Sequence, residues 1–436
     1  MPDSPASETH PLIACRNWLE VLEEHQDADP ADFALRFRDN GDFPAREIAD
    51  QLHCYPRAES KLGAFHRPGM IYTREALEQS SGFAAAVFRA SEWPAAVVTD
   101  LTGGLGIDSA AWASAGARVF YCERNTVLAG LARHNHRLQE LTDRIKYFSG
   151  DAIRWLETHA HTFAGQGSEH GSAPSTAAIG KTTGTPEVPR TGSLIYVDPS
   201  RRFSGRRVYA LQESDPPVLD HLDLLRSSAD RYLIKLSPMV DPAETARLLP
   251  DAERLMAISV DGEVKELLAD CNPARPARSA VIFESVLLHR DGTVRFRLAG
   301  EQTGTPAPEV DAVGTYLFEA DPALFKMRLI DALSGRFGLR RVHPEIGYLT
   351  GNRTIEDFPG RTYRVDAILP YKPKQVNKWL SGMGMRCVHI HRRGFPLTVD
   401  QLYKKLQCRM GDDAHLIATR DYTGSLVILV ARAVPQ

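Results

Sequence analysis

Long hydrophobic runs are missing from this sequence. No apolar stretch approaches the ~20 residues that a membrane-spanning helix needs, so no membrane partner is expected. The opening residues, MPDSPASETHPLIACRNWLE, lack the basic region and apolar stretch of a secretory leader. Cysteine is sparse and scattered. Cys15, Cys54, Cys122, Cys271, Cys387 and Cys408 include no C-x-x-C pair, which argues against a zinc site and against a disulfide framework. A reducing, cytoplasmic setting is the expectation that follows. His389 and His391 stand in an HIH run without a third ligand, which reads as strand composition, and no metal is expected. What remains is ordinary for a soluble globular protein. The chain has 436 residues, 43% hydrophobic and 25% charged, enough for two or three domains with buried cores.

The most informative stretch runs from Val97 to Glu123, VVTDLTGGLGIDSAAWASAGARVFYCE. It reads as a buried strand, a glycine-rich turn, an alanine-rich helix and a second strand ending on an acid. Such a unit cradles a nucleotide-like cofactor, because glycines let the backbone approach it closely beside a helix N-terminus. A dinucleotide site would carry G-x-G-x-x-G, and Gly104-Leu-Gly106-Ile-Asp-Ser109 lacks the third glycine. The acids say more. Asp100 ends the first strand, Asp108 sits in the first helical turn and Glu123 closes the second strand. Asp151 follows the third strand in FSGDA, and Asp198 closes the fourth in LIYVDPSRR. Strand ends of an open α/β sheet converge on one crevice. Carboxylates gathered there repel a pyrophosphate and suit a sulfonium or an α-ammonium group, which favours S-adenosylmethionine over NAD.

Alternation of strand and helix supports that architecture. Strands are expected at 97–101, 118–123, 145–149, 194–198 and 231–236, with helices at about 107–115, 126–138, 152–159, 217–229 and 242–249. This is a mostly parallel sheet covered by helices on both faces, and two further strand-rich stretches lead out of it. Residues 1–94 read as a helical region, with helix-like spacing over Arg16–Glu24, Pro30–Phe37 and around Ile48–Leu52. The core spans 95–290. Residues 161–192 have almost nothing to bury and read as a disordered insertion, with a lid role left open by its place before Asp198. Residues 291–436 form an α+β module with a helix at 321–337 and a closing hairpin through Asp421–Gly424. From Lys326 onward the chain has 19 Lys+Arg against 9 Asp+Glu, a local charge of +10 in a protein of net charge −3. Such asymmetry either marks an anionic partner, nucleic acid foremost, or a merely solvated face.

DLTGGLGID, YCERN, SGDA and VDPSRR together resemble the class I S-adenosylmethionine-dependent methyltransferases. LEQSS at 77–81, IKLSPM at 234–239, DFPGR at 357–361 and RRGFPLTVDQLYKKL at 392–406 resemble, more narrowly, the bacterial THUMP-like domain methyltransferases. The resemblance implies a Rossmann-like core with a helical N-terminal segment and a ferredoxin-like and THUMP-like C-terminal part. It also implies residue roles. Asp100, with Thr102, Gly103, Gly104 and Gly106 of the turn, would flank the methionine part of the cofactor. Glu123, with Arg124 beside it, would bind the ribose hydroxyls. Asp151 and Ala152 would lie near the adenine, and Gln79 and Ser80 would close over the cofactor. Asp198 and Pro199 would occupy the turn where methyl acceptors dock.

Transfer of a methyl group from a sulfonium is an in-line displacement in which the protein mainly supplies alignment, worth ~7–11 kcal/mol in well-oriented cases. Many amino-group methyltransferases carry [D/N]-P-P-[Y/F] at this turn, whereas this chain has Asp198-Pro199-Ser200-Arg201-Arg202. Asp198 keeps its ability to accept a hydrogen bond, but the stacking aromatic is replaced. Arg201 and Arg202 admit two roles, contact with a nucleic acid or an ion pair that locks Asp198 or another core acid. Lys235 is placed either beside the site or as a core-edge lysine. Lys372, Lys374, Arg392 and Arg393, with Trp379 nearby, suit structured RNA. The expected activity is methylation of RNA. A methyltransferase-fold protein that binds RNA without turnover is the alternative, as is a protein or small-molecule acceptor.

Overall fold

A computed structural model describes residues 10–163, 192–200, 202–203, 206–207, 211–276, 279–300 and 312–435. Arg201 and positions 164–191 of the expected insertion lie outside the described residues. By its internal contacts the chain divides into two units, one of residues 1–255, 265–281 and 288–294, the other of residues 256–264, 282–287 and 295–436.

The first unit begins with α1 (Pro11–Ala14), α2 (Trp18–Glu24), α3 (Pro30–Arg36), α4 (Ala45–Leu62), α5 (Arg74–Gln79) and α6 (Phe83–Glu92). Starts are set by local chemistry. Asp29 accepts from the Ala31 and Asp32 amides with Pro30 following it, and Thr73 accepts from the Ala76 amide. Leu12, Trp18, Leu22, Phe33, Ile48 and Leu52 bury one shared face together with Leu131. The fourth helix is far longer than the apolar spacing around Ile48–Leu52 suggests, and it runs through Pro56. Proline lacks one amide donor, but Ala45, Ile48, Ala49, Leu52, Ala58 and Leu62 are buried along the helix, which offsets that loss.

The sheet strands are β1 (Val97–Asp100), β2 (Arg118–Glu123), β3 (Ile145–Ser149), β4 (Ser193–Val197), the two-residue pieces β5 (Arg202–Phe203) and β6 (Arg206–Arg207), β7 (Arg231–Leu236), β8 (Ala252–Val260), β9 (Glu263–Cys271), β10 (Ile282–Leu288) and β11 (Val294–Gly300). Between them run α7 (Ile107–Ser114), α8 (Thr126–Leu138), α9 (Ala152–Phe163), α10 (Leu222–Ser228) and α11 (Pro242–Leu248). The five expected core strands appear to within one residue. β1 pairs parallel with both β2 and β4, β2 with β3, and β4 with β7, while β9 joins β7 antiparallel. The order β9-β7-β4-β1-β2-β3 reverses direction of travel at β1, and β8, β10 and β11 continue the same sheet beyond β9. Strand β7, Arg231–Leu236, is buried at nearly every position, as expected where helices cover both faces.

The second unit contains β12 (Tyr316–Ala320), α12 (Pro322–Lys326), α13 (Ile330–Phe337), β13 (Arg340–Arg341), β14 (Tyr348–Gly351), β15 (Gly360–Pro370), α14 (Pro373–Gly382), β16 (Cys387–Arg392), α15 (Val399–Leu406), β17 (Arg409–Arg420) and β18 (Leu426–Ala433). Its sheet runs β13-β14-β12-β15-β18-β17-β16. The expected single helix at 321–337 is two helices, because Arg328 takes a left-handed φ of 58° between them. Apolar spacing carries across that break and hides it. The hairpin through Asp421–Gly424 is present, with Asp421 accepting from the Thr423 and Ser425 amides. Val376, Leu380, Leu402 and Leu406 of the paired helices pack on Val388, Ile390, Leu416 and Ile428 of the sheet. Among the described residues no helix is long and apolar enough to cross a membrane.

Candidate active site

Because β1 lies between β4 and β2, the ends of these three strands form the crevice at which the sheet changes direction. The glycine turn after β1 is packed too tightly for another residue at Gly103 and Gly106. A Cβ on Gly103 would fall 2.1 Å from the Tyr121 ring. Gly106 has a φ of +76°, and a Cβ there would fall 2.4 Å from His136. His136 comes from α8 and is 1% exposed. Its Nε2 lies 2.9 Å from the Gly106 carbonyl and its Nδ1 lies 3.0 Å from the Tyr147 hydroxyl. A carbonyl can only accept, so Nε2 carries the proton and Tyr147 donates to Nδ1. Burial holds this imidazole neutral, with its pKa pushed down to about 4.

The turn's amides face inward. Gly103 N–H donates to the Cys122 carbonyl (2.8 Å), Gly104 N–H to Glu123 Oε2 (2.9 Å) and Gly106 N–H to the Gly103 carbonyl (2.7 Å). These three donors are therefore engaged and do not cradle a pyrophosphate, which agrees with the missing third glycine. Glu123 accepts from Gly104 N–H through one oxygen and from Asn125 N–H through the other (2.7 Å). Each carboxylate oxygen has two lone pairs, so both keep capacity for a hydroxyl. Asp151 is exposed, and its Oδ1 caps α9 by accepting from the Ile153 and Arg154 amides. Ala152 is the first residue of that helix. Arg124 reaches away from β2 to Asp215, with Nη2 2.6 Å from Oδ2.

Asp100 is 1% exposed, and its carboxylate accepts from Ser109 Oγ (2.7 Å) and Thr102 N–H (3.1 Å). It ties the glycine turn to α7. Burial pushes its pKa up to about 7, with the nearby Asp108 and Asp198 charges adding to the effect. Gln79 and Ser80 also stay within their own helix, since Gln79 donates to Glu75 and Ser80 to the Leu77 carbonyl. Ser81, one residue later, is buried and bonds Asp108, Arg89 and Lys235.

Asp198 lies just past β4, Pro199 is buried after it, and the Asp198 amide donates to Thr102 Oγ1 (2.6 Å). Asp198 pairs with Lys235, with Nζ 2.6 Å from Oδ2, and the Arg201 and Arg202 side chains lie outside the described residues. Lys235 also donates to Ser81 Oγ (3.0 Å), and its side chain is 4% exposed. Burial opposes its charge, but Asp198, Asp108 and Glu266 outweigh that and hold its pKa above the usual lysine range. Behind it, Ser81 donates to Asp108 (2.8 Å), as does the Tyr196 hydroxyl (3.0 Å). Arg89 is fully buried between Asp108 and Glu266 and bonds both. Burial disfavours the guanidinium, yet these two carboxylates keep its pKa well above the usual value. Asp108 in turn is desolvated but held low by Arg89 and Lys235.

Residues 360–433 match the family of THUMP domain-like modules. Two Mycobacterium tuberculosis proteins, one from each of two strains and each named an uncharacterized S-adenosylmethionine-dependent methyltransferase, are 26% identical over 359 residues. The matched stretch covers 82% of this chain and 86% of theirs. A crystal structure from Porphyromonas gingivalis, described as a candidate methyltransferase, superposes with a TM-score of 0.78 at 26% identity. It covers 97% of this chain and 99% of its own. The chain is a class I S-adenosylmethionine-dependent methyltransferase with a C-terminal THUMP-like domain.

The expected substrate residues of this methyltransferase fall into two groups. Lys372 and Lys374, at the start of α14, are exposed. Arg393 is turned into its domain, 5.1 Å from the ring centroids of both Phe325 and Tyr348 and 3.5 Å from Glu319, so its charge is used by the fold. Arg392 is exposed and donates to the Phe395 carbonyl (3.1 Å). Arg202 belongs to the two-residue strand β5. His389 and His391 join His415, with His391 Nε2 2.9 Å from His415 Nδ1, and no metal-binding group of three ligands occurs among the described residues.

Sequence reasoning missed Arg89, Glu266, His136 and Asp215. Two had a visible signal. Arg89 is a lone charge in the apolar run FAAAVFRA, and Glu266 precedes the apolar LLA of a buried strand. A charge embedded in such a run must be paired, because an unpaired one would cost too much to bury. His136 and Asp215 carry no comparable mark.

Proposed function

We propose that the methyltransferase acts on RNA, with the helical region 1–94 and the core 95–290 forming the catalytic part and residues 291–436 engaging the nucleic acid. The observation that carries this reading is the charge on the helical face of the THUMP-like domain. Lys372, Lys374 and Lys378 at α14 and Lys404 and Lys405 on α15 are all exposed, and none has an ion-pair partner among the described residues. Unpaired lysines on two packed helices attract a polyanion, and phosphate contacts of this kind give affinity without base specificity.

S-adenosylmethionine supplies the electrophilic methyl group, and the chain's own residues hold and align. In this reading Glu123 accepts the ribose hydroxyls and Asp151 uses Oδ2, the oxygen not spent on the helix cap, toward the adenine amino group. Asp198 stands at the acceptor end. Lys235 fixes its Oδ2 and Thr102 fixes its backbone, while Oδ1 has no partner among the described residues. Such an oxygen accepts a hydrogen bond from an N–H or O–H acceptor and orients the lone pair for in-line attack. Asp100 acts through the shape of the glycine turn.

The test is transfer of labelled methyl from S-adenosylmethionine into total RNA from cells lacking this protein, with Asp198→Ala as control. Label incorporated by the wild type, and reduced by ~10²-fold or more in the variant, is expected, since orientation is the main contribution of such a residue. No incorporation by protein that binds the cofactor would refute RNA as the acceptor.

A further inference from the structure

The Arg124–Asp215 contact has a position that its ordinary chemistry conceals. Asp215 is anchored at two places. Its carbonyl accepts from the Ser200 amide (2.7 Å) in an isolated antiparallel bridge, just beyond the end of β4. Its carboxylate meets Arg124, the first residue beyond β2, at 2.6 Å. In the sheet β1 lies between β4 and β2, so these two anchor points are two strand spacings apart, ~10 Å. A link from one to the other therefore passes over the end of β1. The glycine turn and the Gly104–Glu123 contact lie at that place.

We infer that Asp215 and Arg124 form a strap across the mouth of the cofactor crevice, under which S-adenosylmethionine must pass to enter and leave. The inference rests on the cofactor reading above and assigns Asp215 a part in the passage of that ligand. The Arg124 side chain is 68% exposed and that of Asp215 32%, which makes the pair weak and easily opened. A weak cross-link at a crevice mouth regulates passage more than equilibrium affinity, because opening it lowers the barrier in both directions. The backbone bridge at Ser200 does not involve the carboxylate, so neutralising Asp215 frees one end and leaves the other anchored.

The experiment measures binding kinetics of S-adenosylhomocysteine, which cannot be turned over, to the full chain and to Asp215→Asn, Arg124→Gln and the double variant. Both association and dissociation are expected to accelerate two- to fivefold in each variant, with the dissociation constant within twofold of wild type. The double variant should match the singles. Raising the salt to 0.5 M should speed the wild type toward the variants and leave them unmoved, since exposed pairs are screened. Unchanged rates overturn the strap. A raised dissociation constant with unchanged association also overturns it, since the pair would then only shape the site. Additive effects in the double variant do the same by giving Arg124 its own contact with the ligand. No binding by the folded wild type overturns the cofactor reading itself and the strap with it.

Discussion

Asp100→Asn tests the buried acid beneath the glycine turn. The wild-type carboxyl is 1% exposed, and its pKa rises from 3.8 to about 7, chiefly through burial. A raised pKa means that the folded chain holds this proton more tightly than the unfolded chain. Its stabilising contribution is therefore complete below pH ~4 and is lost as pH rises through ~7. A shift of ~3 units corresponds to about 4 kcal/mol at ~1.4 kcal/mol per unit, an upper bound for a site that can relax. Asparagine is close in shape and cannot ionise. Its Oδ1 still accepts from Thr102 N–H, and its amide can donate to Ser109 Oγ, which turns to accept. Urea unfolding at pH 5, 6, 7 and 8, followed by fluorescence of the buried Trp112 and its neighbours, gives the measurement. The variant should gain ~2–3 kcal/mol relative to wild type between pH 5 and 7, with little further change to pH 8. A difference that stays constant within ~0.5 kcal/mol across that range would refute the assignment of a buried, neutral-pH carboxyl to this position.

Gly103→Ala forces a Cβ to 2.1 Å from the Tyr121 ring and should weaken S-adenosylmethionine binding at least ~10-fold by calorimetry in protein that still folds. Arg89→Met strands Asp108 and Glu266 without their cation, and should cost ~3–5 kcal/mol in urea unfolding at pH 7. The same loss should shrink at pH 4, where the stranded acids can take up protons. Lys372→Ala with Lys374→Ala should reduce the salt dependence of RNA binding, by a slope change of ~1 per lysine in a log–log plot, without changing sequence preference. An unchanged slope would place the RNA elsewhere.

How much of this was legible in the sequence depends on the range of the forces involved. Strand and helix positions in the core are written in local periodicity, and β2, β3, β7 and α8 fall on their expected residues. The break at Arg328 was hidden because the apolar period is the same on both sides of it, and only the backbone angle at one residue ends the helix. At the candidate site, the acids were legible as a group because topology brings strand ends together whatever the side chains do. What topology does not say is which way each carboxylate points. Asp100 and Glu123 occupy similar strand-end positions, yet Asp100 is closed off by Ser109 while Glu123 remains half-exposed. That difference is set by the residue nine positions further along α7.

In the function proposed above, the Asp198–Lys235 pair takes the place of the D-P-P-Y contacts at this turn. Where the familiar sequence holds a substrate between a carbonyl and an aromatic ring, this chain holds the carboxylate itself. Lys235 takes one oxygen, Ser81 of the preceding helical region holds Lys235, and Asp108 with Arg89 anchors Ser81. The chain of contacts holds Asp198 Oδ2, and Oδ1 has no partner among the described residues. Lys235→Arg should retain folding and cofactor binding while lowering the methyl-transfer rate at saturating RNA by ~10-fold or more, because a wider guanidinium cannot seat beside Ser81 without moving Asp198. Wild-type turnover with a raised KM would instead mean that the pair recognises the acceptor without aligning it.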